Sequence, residues 1–140
     1  MTGYFENGRV YIDVEVYGIL PELKKTFKAR LDTGFDGYLS IPLTDSFPLG
    51  LILKGTQSYT IADNSTKYNL VCLGTVVCSE KSAVVPVDVA SGPILIGTKL
   101  LKEYHIEIQI DYTNETVVFV EGKPPIAFTT EPTKSKKSKK

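Results

Sequence analysis

A strict alternation of apolar and polar residues along RVYIDVEVY, residues 9–17, constrains the fold more than any other feature of the chain. Val10, Ile12, Val14 and Val16 fall on one side of an extended strand, and the residues between them fall on the other. A strand of this kind must pack its apolar side against a core. Similar short runs recur as far as residue 120, separated by turn-forming residues. The pattern predicts an almost all-β domain.

The other elements are predicted from local patterns. TKLLKEY, residues 98–104, is the one segment with a helical pattern. The runs QSYTIA and TKYNLV flank a polar turn at residues 63–65 and predict a hairpin. HIEIQID and TVVFV predict a second hairpin around Thr113 and Asn114. Strands and helices do not alternate along the chain, which argues against a parallel α/β sheet.

The strands in the middle of the chain carry a further expectation. TVVC, residues 75–78, and SAVVPVDV, residues 82–89, are predicted as separate strands. Pro86 lacks a backbone N–H and predicts that its strand lies at a sheet edge or a bulge.

The length of 140 residues corresponds to one domain, which we place at residues 1–125. The net charge of zero conceals a basic end, because five of the last ten residues are lysines. We predict a disordered tail over residues 126–140, which has a solubilising role or binds nucleic acid weakly. The sequence lacks an apolar stretch of membrane-spanning length and a signal-peptide pattern, so we expect a cytoplasmic protein.

The chain has few residues of the types that bind transition metals. Cys72 and Cys78 are the two cysteines, and we expect both to be reduced thiols in or near the core. His105 is the single histidine, which argues against His-rich metal sites and against a Ser-His-Asp triad. We therefore expect no cofactor.

The triplet Asp32-Thr33-Gly34 lies in RLDTGFDGYLSIP, between two apolar runs. A carboxylate at the end of a strand can be presented to a substrate, and two such turns meeting each other would bring two carboxylates close together. Such a pair shares one proton, so one member activates a water while the other polarises a carbonyl. The chain contains one Asp-Thr-Gly and no Asp-Ser-Gly, so any partner must come from a second copy.

One Asp-Thr-Gly triplet alone indicates only a turn. A second motif, ILIGTKLL at residues 94–101, strengthens the interpretation of Asp32 as catalytic. With DTGFDGYLSIP and the hairpin YTIADNSTKYNL in the same order, residues 8–120 resemble the retropepsin-like aspartic peptidases, in particular their small prokaryotic branch. The resemblance implies a single-lobe closed barrel with one short C-terminal helix and a flap hairpin. It also implies a homodimer that hydrolyses a peptide or protein substrate.

The resemblance also implies residue roles around the triplet. Asp32 would be the catalytic aspartate, Thr33 would lock two active-site turns together across the dimer, and Gly34 would contact the substrate backbone. Asp36 would anchor the substrate main chain, with Gly37 beside it. The tip of the flap would comprise residues of the polar turn, namely Ile61, Ala62, Asp63, Asn64 and Ser65. Gly97 would let its strand pass close beneath the active-site turn.

The sequence departs from the viral members at three points. Phe35 replaces a small residue and would narrow a subsite or pack against Tyr38. Thr98 stands where many viral members have an arginine that pairs with an acid, so a pair of that kind with Asp36 is excluded. The flap tip lacks glycine.

Arg30 lies on the same face of its predicted strand as Asp32, because side chains alternate with a period of two. It would line the cleft, favour an acidic substrate side chain and lower the pKa of the carboxylate pair. The alternative is an arginine on the solvent face of the sheet.

Two other functions remain open from the sequence. The same dimeric fold could bind a peptide or protein without hydrolysing it, although such a module has no need of Asp32. A small nucleic-acid-binding barrel fits the lysine tail but does not fit the slightly acidic body or explain the two motifs.

Overall fold

The computed structural model describes residues 3–120. The tail predicted at 126–140 and the end of the domain predicted at 121–125 lie outside the described residues. Strands dominate what is described, so the all-β class is confirmed.

The described part of the chain forms ten strands, two short α-helices and two 3₁₀ turns. The strands are β1 (Gly3–Glu6), β2 (Arg9–Tyr17), β3 (Lys25–Leu31), β4 (Leu39–Ile41), β5 (Ile52–Thr60), β6 (Thr66–Cys78), β7 (Lys81–Val89), β8 (Leu95–Ile96), β9 (Glu107–Asp111) and β10 (Thr116–Val120). The helices are α1 (Leu43–Ser46) and α2 (Thr98–Glu103), and the 3₁₀ turns are Pro21–Leu23 and Phe47–Leu49.

Eight strands form one sheet in the order β1-β2-β3-β8-β4-β7-β6-β5, and β2 also pairs with β6. This additional pairing spans Glu15↔Val77 to Tyr17↔Thr75 and brings the run of strands back to β2. The closed barrel expected from the resemblance stays a prediction. β9 and β10 pair with each other as a separate two-stranded sheet.

The core forms where the apolar sides of the strands face inward. Ile12, Val14 and Val16 of β2 are fully buried, as the alternation predicts. α2 adds the buried Leu100, and Tyr104 follows the helix into the core. The hydroxyl of Tyr104 donates to the carbonyl of Val76 at 2.6 Å, which satisfies a polar group that burial would otherwise penalise.

Two strand predictions need correction. The residues at 66–71 and 75–78 were predicted as separate strands but form the single strand β6. The strand continues through Gly74. Glycine fits this position, because a Cβ atom would lie 2.7 Å from the Leu51 side chain and 3.3 Å from the Tyr17 carbonyl oxygen. Pro86 lies just before the part of β7 that pairs with β4, so the strand is interior at residues 87–89 but is paired only with β6 at Pro86.

Other expectations concern the cysteines and the membrane. Cys72 and Cys78 are both free thiols, and burial raises the pKa of Cys78 to about 11. Among residues 3–120, no helix has the length and apolar character needed to cross a bilayer.

Candidate active site

The loop that contains the triplet, residues 32–38, joins β3 to β4 and is fixed by backbone hydrogen bonds at both ends. The N–H of Asp32 donates to the carbonyl of Ile96 at 3.0 Å. At the other end, the N–H of Gly97 donates to Tyr38 at 3.0 Å and that of Lys99 to Gly37 at 3.1 Å. We call residues 32–38 the Asp32 loop. Its position is therefore set by a segment that lies far from it in sequence.

That segment is β8 with the start of α2. β8 lies between β3, which it pairs with in parallel, and β4, which it pairs with antiparallel. Gly97 follows it at a very close approach of two backbones. A Cβ atom on Gly97 would lie 2.2 Å from the carbonyl oxygen of Gly37 and 2.7 Å from that of Phe35. A side chain of any kind would force the Asp32 loop to move, because real Cβ contacts of that length do not occur.

Asp32 itself stands half-buried at the beginning of the loop. Its Oδ1 accepts a hydrogen bond from the N–H of Gly34 at 2.9 Å, and its carbonyl accepts one from Phe35 at 3.0 Å. These bonds orient the carboxylate. Thr33 and Gly34 are exposed, so the turn is accessible from outside the chain.

One side of Asp32 opens into a hollow of about 290 Å³, lined by residues 8–10 and 30–33 with Ile110 and Tyr112. We call this the arginine hollow, because Arg9 and Arg30 both line it. Among residues 3–120, neither arginine forms an ion pair. The alternation argument placed Arg30 beside Asp32, and the two residues do line the same hollow. The role of Arg30 in substrate choice stays a prediction.

The other end of the loop lines a larger hollow of about 580 Å³, formed with residues 54–57 of β5, Val71, Pro86, Asp88 and Lys99. We call this the hairpin hollow, since β5 is the first strand of the predicted flap hairpin. Phe35, Asp36 and Gly37, which the resemblance assigns to substrate binding, all line it.

Within the hairpin hollow, Asp88 and Asp36 differ in their surroundings. Asp36 is exposed, whereas Asp88 is half-buried in β7. Burial raises the pKa of the Asp88 carboxyl above its usual value, and the positive charge of Lys99 opposes that rise. Gly37 lies directly against this carboxylate, since a Cβ atom on Gly37 would be 3.4 Å from Asp88 Oδ2.

Phe35 packs against its own loop and the segment beneath it. A Cβ atom on Gly37 would lie 2.6 Å from the Phe35 ring, and one on Gly97 would lie 2.7 Å from it. The ring therefore fills the space that the two glycines leave. Tyr38 instead directs its hydroxyl to the carboxylate of Glu103, at 2.8 Å.

The hairpin of β5 and β6 forms as predicted, with its turn at residues 61–65. The N–H of Asn64 donates to the Ile61 carbonyl at 2.9 Å, and Asn64 has a left-handed φ of 68°. Hydrogen bonds from the Ser65 hydroxyl and N–H lower the pKa of Asp63. The exposed Ala62 and its neighbours at this tip do not line the hairpin hollow, which takes residues 54–57 of β5 instead.

Thr98 anchors the Asp32 loop through the carbonyl of Phe35. Its N–H donates to the carbonyl of Phe35 at 3.0 Å, and its hydroxyl lies 3.5 Å from the same oxygen. Within residues 3–120, Asp36 has no ion-pair partner.

Sequence reasoning missed several residues of the two hollows, namely Arg9, Lys54, Asp88 and Tyr112. One of them carried a sign in the sequence, because Asp88 interrupts the apolar run AVVPVDV. Arg9 and Lys54 lie on separate strands, which the order of the large sheet brings near the Asp32 loop, whereas Tyr112 follows β9 of the separate two-stranded sheet. In residues 3–120, no cluster of three or more His, Cys, Asp or Glu side chains could hold a metal ion.

Comparisons with known proteins find similarity in structure and none in sequence. No protein-family model matches the chain, and no curated protein matches its sequence. Among solved structures, the solution structure of the simian foamy virus (mac) protease is similar with a TM-score of 0.49 and 15% sequence identity. The match covers 66% of this chain and 91% of the viral one. At this level of similarity, the match carries no argument about function.

Proposed function

We propose that the chain is an aspartic endopeptidase of the retropepsin-like type, active as a homodimer. The observation that carries the proposal is the placement of Asp32. Its carboxylate lies in an exposed turn, is oriented by the N–H of Gly34 at 2.9 Å, and is anchored through its backbone to Ile96 at 3.0 Å. A rigidly supported acidic group beside open hollows is what acid–base chemistry on a bound substrate requires.

The chemistry needs two such carboxylates, and each chain supplies one triplet. A two-fold axis beside Thr33 and Gly34 would place the two Asp32 side chains face to face. Charges so close cannot both ionise, so the pair holds one proton. The ionised carboxylate takes a proton from water as that water attacks the peptide carbonyl, and the protonated one donates to the carbonyl oxygen. The carboxylate that took the proton from water then passes it to the leaving nitrogen as the C–N bond breaks, and a hydroxyl of the tetrahedral intermediate returns its proton to the other carboxylate.

The β9–β10 hairpin favours a second copy on this face. Tyr112, which follows β9, lines the arginine hollow together with Asp32 and Thr33 and is 69% exposed. β9 and β10 pair only with each other among the described strands, so their outer edges retain unpaired backbone groups. An aromatic residue and open strand edges beside the Asp32 loop suit an isologous interface.

The decisive experiment compares the wild type with Asp32→Asn on a mixture of peptides from acidic to neutral pH. We expect wild-type cleavage and a loss of at least about a hundredfold in the variant, because a general acid–base group contributes about that much. Both proteins should have the mass of a dimer in solution. Asp45→Asn is a matched control, since Asp45 is another half-buried carboxylate and lines neither hollow.

Two results would overturn the proposal in different ways. A wild-type dimer that cleaves nothing beyond what Asp32→Asn cleaves would leave a peptide-binding module of the same fold. A wild-type monomer with full, Asp32-dependent cleavage would eliminate the two-chain carboxylate pair while retaining the catalytic role of Asp32.

A further inference from the structure

The hairpin hollow combines two carboxylates with two lysines. Asp36 and Lys54 contribute from the Asp32 loop and β5, and Asp88 and Lys99 contribute from β7 and α2. Its volume of about 580 Å³ exceeds what one long side chain fills. Because it begins at Phe35, within the loop that carries Asp32, a peptide held at Asp32 would pass its opening.

Asp88 is the group in this hollow whose burial is least compensated. Its strand is paired on both sides at this position, with Ser40 of β4 and Val71 of β6. Gly37 lies against its Oδ2. Burial without compensating contacts penalises the charged form of a carboxylate. Asp88 is thus held in its place by the sheet and cannot turn away to solvent as a loop residue would.

No direct cationic partner offsets that burial within residues 3–120. The ion pairs there join Lys24 to Glu15 and Lys28 to Glu6, so neither Lys54 nor Lys99 lies within 4.0 Å of a carboxylate oxygen. Both lysines are exposed, and their ammonium groups remain in contact with water. Lys99 acts on Asp88 only through its charge at a distance. A cationic group brought by a ligand would therefore form the first ion pair with this carboxylate.

The walls of the hollow fit the rest of such a ligand. Phe35, Val71 and Pro86 offer apolar surface, and Asp88 offers an acceptor. A lysine or arginine side chain has the same division, with an apolar stem and a charged head. An acidic side chain would add a third negative charge to those of Asp88 and Asp36, which is unfavourable.

We propose that the hairpin hollow is a subsite for a lysine or arginine side chain of the bound peptide, and that Asp88 is its specificity-determining residue. Asp36 lies at the exposed rim and contributes less, because its charge is already solvated. Lys99 limits the preference, since its charge opposes that of the guest. The proposal rests on the peptide-binding cleft of the proposed function but does not require hydrolysis.

The test measures peptide binding in the Asp32→Asn background, so that catalysis does not enter the readout. The probes are fluorescein-labelled octapeptide mixtures with one fixed position, occupied by lysine, by its uncharged isostere norleucine, or by glutamate. Fluorescence anisotropy at pH 7 should give tighter binding of the lysine set than of the norleucine set by about tenfold. The glutamate set should bind most weakly.

Three substitutions that remove one charge each connect the preference to its residue. Adding Asp88→Asn should bring the ratio of lysine to norleucine affinity close to one, while Asp36→Asn should reduce it by less. Lys99→Gln should increase the ratio, which a variant that simply unfolds cannot do. In the protein with Asp88 intact, the ratio should also fall as the pH is lowered towards the Asp88 pKa, with Asp36, Lys54 and Lys99 as the other charged groups in the hollow.

An unchanged ratio in the Asp88→Asn protein, or preferential binding of the glutamate set, would overturn the proposal. The outcome is separable from that of the proposed function. A Lys preference that depends on Asp88, in a protein whose wild type cleaves nothing, would remove the peptidase and retain the subsite. Cleavage with a side-chain preference that does not change in Asp88→Asn would retain the peptidase and remove the subsite.

Discussion

The arginine hollow and the hairpin hollow share one loop but differ in charge. Asp32 and Thr33 line the first, and residues 35–38 line the second, so Gly34 separates them. The first collects two arginines from β2 and β3. The second collects acids and lysines from the Asp32 loop, β5, β7 and α2. A peptide lying across the loop would meet positive charge on one side of Asp32 and a half-buried carboxylate, Asp88, on the other. In the proposed peptidase, the surrounding strands would then set the selectivity and the triplet would supply the reaction.

We expect the largest effect from a substitution at Gly97, where the segment beneath the Asp32 loop supports both hollows. Gly97→Ala places a Cβ atom 2.2 Å from the Gly37 carbonyl, so the Asp32 loop must shift or the chain must unfold. We expect a loss of about 3 kcal/mol or more in the free energy of unfolding, measured by denaturant titration. Gly34→Ala is the control, since its Cβ atom would lie 3.3 Å from Asp32 Oδ1 and should cost about 1 kcal/mol or less. Equal stability of the two variants would contradict the close approach at Gly97.

The next effect tests whether the arginine hollow lies on the dimer face. Tyr112→Glu would bring like charges together across a two-fold interface, so we expect the dissociation constant of the dimer to increase by about tenfold or more. Sedimentation analysis should show monomer at low concentration, and specific activity should recover as the concentration rises. Phe47→Glu is the control, because Phe47 is 80% exposed and lines neither hollow. A dimer mass that is unchanged at every concentration would place the interface elsewhere.

Arg30 gives a sharper test of the charge difference between the hollows. Arg30→Leu removes a positive charge from the hollow that Asp32 lines, so preference for substrates with an acidic residue should fall by about tenfold. Arg30→Lys keeps the charge and should retain most of that preference. Cleavage of peptides with and without an acidic residue measures it. If the preference of Arg30→Leu matches that of the wild type, Arg30 has no role in the cleft.

The smallest effect concerns the stability cost of Asp88. Because its folded-state pKa is raised, the folded chain binds the proton more tightly than the unfolded chain, and stability falls as the pH rises through the range above 3.8. Asp88→Asn removes that penalty, so at pH 7 it should melt about 1–3 °C higher than the wild type. The difference should vanish below the ordinary carboxyl pKa. Thermal melts of both proteins at several pH values measure it, and a gap independent of pH would exclude ionisation as its cause.

Much of the fold followed from local patterns. The alternation in β2, the hairpin around Asp63 and the helix at residues 98–104 all depend on neighbouring residues, and the structure contains each of them. β6 was misjudged because Gly74 resembles a strand break. In the structure, Gly74 lies where Leu51 and the backbone of Tyr17 come too close for a side chain.

The candidate site was less predictable for a related reason. The triplet identifies Asp32, and alternation connects Arg30 to it, because both arguments stay within one strand and its turn. Asp88 and Lys54 reach the hairpin hollow through the pairing of β7 with β4 and of β5 with β6. A single sequence does not specify that order of strands, so their meeting could be found only from the structure.

The attachment of the Asp32 loop to β8 and the start of α2 bears on when the proposed peptidase would become active during synthesis. Thr98 donates hydrogen bonds to the carbonyl of Phe35, which lies 63 positions earlier in the chain. During synthesis, the Asp32 loop therefore lacks these bonds until the residues near 98 have emerged from the ribosome. Contacts of such long range form late in folding, since the entropy of closing the intervening chain must first be overcome. We therefore expect a nascent or partly folded chain to be inert towards its neighbours. The order of synthesis would then protect neighbouring proteins from cleavage, because Asp32 would reach its catalytic position only when the domain is complete.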